Sequence, residues 1–97
     1  MAIICKNRKT AADLYFRIAG RTKVKLVDYL EEQSITGTII VPVYLAKGLE
    51  FDAVMVYGTD NKTYNTNYDK KLLYIACTRA LHRLSLYYTG KITRYLK

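Results

Sequence analysis

Cysteine and histidine are scarce in this sequence of 97 residues, which holds two of the first and one of the second. Cys5 and Cys77 each sit inside an apolar segment, with no CxxC pair, so they read as small hydrophobes rather than a disulfide framework. His82 alone cannot complete a zinc site, and none is expected. Also missing is any run near the roughly 20 apolar residues of a membrane span, or a charged leader ahead of an apolar stretch. Neither export nor membrane insertion is indicated, and a reduced, cytoplasmic setting is expected. No GxxxxGK[ST] segment occurs, so the backbone cradle and lysine that hold β- and γ-phosphates in P-loop enzymes are absent. No acidic pair after a strand looks like a magnesium site. His82 has no serine or cysteine partner at recognisable spacing and reads as a packed or surface residue. Catalysis by this chain alone is therefore not expected.

What is present is a hydrophobic fraction of 51%, enough for one core, and residues 1–97 are read as a single domain. Sixteen Lys and Arg against eight Asp and Glu give a net charge of +8. Such a balance concentrates polyanions at the surface and makes nucleic acid the default partner, though a basic excess can also serve only solubility.

Ala2-Ile3-Ile4-Cys5 is a continuous apolar run of strand length, buried on both faces. Thr10 as N-cap, with Ala11, Leu14, Tyr15 and Ile18 at helical spacing and Gly20 as a stop, predicts a helix. Residues 24–30 suit a strand start or a short helix. Thr38 to Tyr44 is rich in β-branched residues and predicts a second strand, with Pro42 near its end or edge. The 46–51 loop precedes a third buried strand, Ala53 to Tyr57, and 58–67 reads as a surface loop. Tyr68 to Leu81 is the strongest helical pattern, followed by an alternating strand over 83–88 and a short terminal helix over 92–96. Strands alternating with helices predict an α/β fold with a mainly parallel sheet flanked by helices.

Two places stand out chemically. On the 68–81 helix Arg79 falls inside the apolar arc of Leu72, Leu73, Ile75, Ala76, Cys77 and Ala80. A guanidinium held against that face needs a carboxylate, a phosphate or an opening to water. It can equally snorkel outward and cap the last carbonyls. The second place is Lys47-Gly48-Leu49-Glu50-Phe51-Asp52, expected at the carboxyl edge of the sheet, where ligands of open α/β sheets bind. Gly48 would admit a close approach of backbone and Glu50 would accept hydrogen bonds from a ribose hydroxyl or an arginine, although a glycine among charges is also an ordinary turn.

Together these segments carry a family resemblance. Leu45-Ala46-Lys47-Gly48-Leu49-Glu50-Phe51-Asp52-Ala53-Val54 resembles motif V of UvrD/Rep-like superfamily 1 helicases. Lys71-Leu72-Leu73-Tyr74-Ile75-Ala76-Cys77-Thr78-Arg79-Ala80 looks like their motif VI, in matching order and separation. The opening Ala2 to Asn7 with its helix is similar to the later part of lobe 2A, and the compact Pro42 to Lys47 segment looks most like the helicase IV branch of Gram-positive bacteria. The resemblance implies a three-layer RecA-like lobe, the C-terminal one of two, cut from a longer chain. It implies that Arg79 reaches the ATP γ-phosphate as an arginine finger does, that Glu50 contacts the ribose and that Gly48 shapes the loop beside the phosphates. ATP and Mg²⁺ would be held mainly by the missing N-terminal lobe, and the partner would be single-stranded DNA. Where many relatives place Thr and His on DNA, this sequence has Pro42 and Tyr44, so that Tyr44 would stack on a base and Lys47 meet a phosphate. Proteins of this branch also resemble factors that use ATP to release RNA polymerase, which is the alternative function.

Overall fold

The computed structural model describes residues 1–27, 37–46, 49–60, 63–88 and 91–93. Five strands form one sheet in the order β2-β3-β1-β4-β5, and every pairing is parallel. The strands are β1 (Ala2–Cys5), β2 (Lys25–Leu26), β3 (Ile39–Pro42), β4 (Phe51–Tyr57) and β5 (Ala80–Tyr87), and the helices are α1 (Arg8–Ile18), α2 (Val43–Ala46) and α3 (Asn67–Cys77). The parallel sheet flanked by helices is the predicted α/β architecture.

β1 is central and all four of its residues are buried, as a doubly covered strand requires. Its side chains alternate between two cores. Ala2 and Ile4 join Ile39, Val41, Val54 and Val56 under α2 and α3, which contribute Val43, Ala46, Leu73 and Ala76. Ile3 and Cys5 join Ile40 under α1, which contributes Ala11 and Leu14. Burying a side chain such as Leu14 contributes about 1.5–3 kcal/mol over leaving it exposed, so few such residues suffice to clamp α1 down. Pro42 is the last residue of β3, paired with Cys5, and its missing N–H ends the ladder there. Val43 and Tyr44, expected to extend that strand, begin α2 instead.

Helix α1 starts earlier than predicted. Asn7, not Thr10, is the N-cap, its side chain accepting the Thr10 N–H at 2.9 Å. β4 begins at Phe51, two residues ahead of the predicted start at Ala53. α3 is fixed by a capping box in which the Thr66 hydroxyl accepts the Asp69 N–H while the Asp69 carboxylate accepts the Thr66 N–H. It ends at Cys77, four residues short of the predicted end, because β5 begins at Ala80. The edge strand β5 is exposed from Leu81 onward, with Tyr87 stacked on Tyr57 at 5.3 Å between ring centroids. In place of the helix predicted to start at Ile92, Ile92 bridges Asp60 and Thr93 is buried, its hydroxyl donating to the Tyr64 carbonyl at 2.6 Å. The rest of that predicted helix lies outside the described residues. No described helix is long and apolar enough to cross a membrane.

Candidate functional site

Arg79 and Glu50 each stand directly before a strand. Arg79 occupies the turn between α3 and β5, and Glu50 is the last residue before β4. Because β4 and β5 are parallel neighbours, both residues lie at the amino edge of the sheet. The Phe51 N–H donates to the Arg79 carbonyl at 2.8 Å, which locks the two turns side by side. Two expectations are corrected here. Glu50 and Phe51 do not lie at the carboxyl edge: β4 starts at Phe51, and parallel strands all begin at one edge. Nor does Arg79 belong to the apolar arc of a helix, since α3 has already ended and the residue is half-buried in the turn beyond it.

The Arg79 side chain folds back over the helix end. Its Nε donates to the Ile75 carbonyl at 3.2 Å and its Nη2 to the Thr78 hydroxyl at 3.2 Å. These bonds satisfy one of the last carbonyls of α3 and place a cation at the negative end of its dipole. The capping role anticipated for Arg79 is thus realised, with Nη1 making no hydrogen bond among the described residues. A guanidinium so placed can swing toward an anion at the cost of one carbonyl cap.

Glu50 is exposed at the rim of a concavity of about 280 Å³ that Met1, Gly37, Ile39, Phe51, Asp52 and Leu81 complete. Leu81 reaches it through an irregularity in the ladder. Phe51 pairs with Ala80 but Ala53 with Arg83, so one extra residue of β5 is accommodated opposite Asp52. His82, in that same bulge, lies 3.5 Å from Asp52, both side chains in water. Tyr44 is 50% exposed just past the carboxyl end of β3, so it is not brought together with Glu50 and Arg79. Lys47 and Gly48 lie outside the described residues.

A tight polar cluster among the described residues escaped the sequence. Lys6, at the end of β1, donates to the Thr63 carbonyl at 2.6 Å and pairs with Asp69 at 2.8 Å, its ammonium 5.9 Å from the centre of the Tyr64 ring. Burial by itself would raise the Asp69 carboxyl. Lys6, the N–H groups of Asn65 and Thr66 and the Thr66 hydroxyl outweigh it and hold the carboxyl below its ordinary range. Burial raises the Tyr64 phenol, and the charges of Cys5, Cys77, Asp69 and Asp60 add to the rise. This cluster pins the start of α3 to the carboxyl end of β1, at the far end of the helix from Arg79. The Thr66-Asn67-Tyr68-Asp69 spacing is the one signal that could have announced it.

The residues present fit only part of a nucleoside triphosphate site. Glu50 and Arg79 offer an acceptor for a hydroxyl and a donor for a terminal phosphate, but no described group of His, Cys, Asp and Glu could hold a metal ion. Phosphate cradle and metal ligands would have to come from elsewhere.

Two similarities bear on the family of the fold. A family model described as the UvrD-like helicase C-terminal domain matches residues 38–87. A solved structure, the C-terminal domain of a possible DNA helicase from Lactobacillus plantarum WCFS1, superposes with a TM-score of 0.88 at 38% sequence identity. The match covers 98% of this chain and 59% of that one, so the chain spans under two thirds of the length of its structural relative. No curated protein matches the sequence.

Proposed function

The chain belongs to the UvrD-like helicase C-terminal domain family, and from that premise we propose that it is part of the second RecA-like lobe of an ATP-dependent superfamily 1 DNA helicase or translocase. The observation that carries the reading is the Phe51 to Arg79 backbone hydrogen bond of 2.8 Å, which sets Glu50 and Arg79 at adjacent strand starts. On this reading an opposing N-terminal lobe holds ATP and Mg²⁺ and supplies the phosphate cradle. Glu50 accepts a hydrogen bond from the ribose. Arg79 leaves its cap on Ile75 as the lobes close and neutralises charge developing on the γ-phosphate. Gly48 shapes the loop beside the phosphates. Tyr44, toward the other edge, and Lys47 meet single-stranded DNA.

Because Arg79 engages only in the closed state, hydrolysis is coupled to lobe closure, and alternating grip on a strand becomes movement. The chain alone is inactive in this scheme. Arg79→Ala in the two-lobed protein should cut ATP turnover by about 10³-fold or more, as loss of an arginine finger does, with ATP affinity and melting temperature little changed. Turnover within a few-fold of wild type would overturn the assignment. Stimulation of turnover by single-stranded DNA supports the helicase, whereas co-purification with RNA polymerase and no strand separation would move the protein to the polymerase-releasing members of the family.

A further inference from the structure

The backbone of Arg79 is held on both sides. Its N–H donates to the Ala76 carbonyl at 3.2 Å and its carbonyl accepts the Phe51 N–H at 2.8 Å. Any move of the guanidinium from the helix end toward an anion is therefore made by side-chain torsions alone. What resists that move is the set of groups the side chain touches. Among the described residues these are neutral: the Ile75 carbonyl and the Thr78 hydroxyl, each at 3.2 Å, with no carboxylate paired to Arg79. A phosphate offers full opposite charge and two parallel bonds, so it displaces such partners where a carboxylate in their place would resist it.

The two partners differ in kind. A free carbonyl in the last turn is something every helix end offers. The Thr78 hydroxyl, at the C-cap of α3, is a side chain, and it is aimed. It donates its own proton to the Ile75 carbonyl at 3.0 Å, which leaves its lone pairs to accept from Arg79 Nη2. Branching at Cβ restricts its torsion, so the acceptor stays in place when the guanidinium departs. Ile75, Thr78 and Arg79 thus close a ring of hydrogen bonds that only the guanidinium is free to leave.

We propose that Thr78 is a positioning residue, a latch whose hydroxyl holds Arg79 in its parked position and so restrains ATP turnover. This rests on reading Arg79 as the group that acts on the γ-phosphate, and it adds a brake to that act. Each turnover needs the guanidinium released, so the released fraction scales the rate of the chemical step. ATP itself is held elsewhere in the scheme, so its binding is indifferent to the latch.

The test removes the hydroxyl and keeps the shape. Thr78 is exposed, and in Thr78→Val the Ile75 carbonyl still has the Arg79 Nε–H as donor, so the fold should stand. In this chain, nuclear magnetic resonance of the Arg79 Nε–H reads the parked position. Its exchange with water should be slower than at the exposed Arg17 and Arg21, and should quicken about threefold in Thr78→Val, the size of one hydrogen bond exchanged for water. Thr78→Ala should repeat that change and Thr78→Ser, which keeps the hydroxyl, should stay near wild type. In the two-lobed protein Thr78→Val should raise kcat for ATP about threefold with KM unchanged. Placed on Arg79→Ala, the same substitution should change nothing, because the latch then has nothing to hold. The proposal is overturned if Nε–H exchange does not respond to Thr78→Val, if kcat stays or falls, or if the substitution acts equally with Arg79 absent, the mark of a merely structural C-cap. Failure of the arginine-finger reading looks different: Arg79→Ala would leave turnover intact while Nε–H exchange still responded to Thr78→Val, and Thr78 would then serve the helix cap alone.

Discussion

Replacing Lys6 by Met tests the physics of the cluster that anchors α3. Met keeps an unbranched apolar stem and removes the ammonium that stands 5.9 Å from the centre of the Tyr64 ring. Asp69 is then left with a side chain 6% exposed and no cation, where Lys6 had stood at 2.8 Å and 25% exposed. Removing one partner of a buried pair costs about 3–5 kcal/mol. The low end applies, because the Asn65 and Thr66 N–H groups still donate to the carboxylate at 3.1 and 3.2 Å. About 3 kcal/mol is a large fraction of the 5–15 kcal/mol that holds a typical domain together. The sign with pH follows from the direction of the Asp69 shift. In wild type the folded carboxyl lies below its ordinary value of 3.8, so its stabilising contribution is complete above that value and is lost as pH falls through the folded one. In Lys6→Met the main lowering influence is gone and burial raises the carboxyl, so the variant takes up its proton at a higher pH than wild type does. The gap between them should be widest near neutrality and narrow on acidification. Urea unfolding of both proteins across that range measures it at constant m. A gap under about 1 kcal/mol at neutral pH, or one that stays constant into acid, would refute the reasoning.

Two further outcomes follow from the same core. Tyr64 is fully buried and its hydroxyl has no hydrogen-bond partner among the described residues, so Tyr64→Phe removes a desolvated polar group while keeping the ring. Thermal unfolding should show stability unchanged or raised by up to about 1–2 kcal/mol, and a loss of that size would mean the hydroxyl is satisfied. Burial pushes the Cys5 thiol up to about 12 and also raises Cys77, which is less deeply covered. Native protein at mildly alkaline pH should therefore resist iodoacetamide at Cys5 and react first at Cys77, as peptide mapping would report, with both modified promptly in urea.

How much of this was legible depended on the range of each interaction. The run Ala2 to Cys5 announced a doubly buried strand because its four side chains are apolar without alternation, and Pro42 announced the end of β3 because it lacks the N–H to continue. Helix limits were less clear. Thr10 and Asn7 are both capable caps, and only the fold at the end of β1 decides for Asn7. The 68–81 pattern ran on into Ala80 and Leu81 because apolar residues of a following strand fit the helical period by chance for one turn. The pairing of Lys6 with Asp69 could not be read, since 63 positions separate its members and nothing local to either points to the other. The capping box at Thr66 and Asp69 was readable in principle, but the surrounding Asn and Thr made that stretch look like loop.

The edge of the sheet was misplaced for an instructive reason. Ligands of open α/β sheets bind at the carboxyl edge because βα turns and helix amino ends gather there. Glu50 and Arg79 belong instead to αβ turns, which gather at the amino edge, and they meet because β4 and β5 are neighbours in the order β2-β3-β1-β4-β5. An amino edge exposes helix carboxyl ends, whose dipoles repel phosphate and attract cations. Arg79 at the end of α3 is therefore stably parked when no anion is present, capping Ile75 at 3.2 Å. It becomes a phosphate ligand only if an anion is presented to it by another surface strong enough to compete with that cap. The geometry thus suits a donor better than a binding site: a cation stored on a helix end, with its neighbour Glu50 on a rim, would in the proposed scheme act on a phosphate that another surface holds. That is why the parked cap and the proposed arginine finger are two positions of one side chain rather than rival readings, and why removing Arg79 should affect turnover much more than nucleotide affinity.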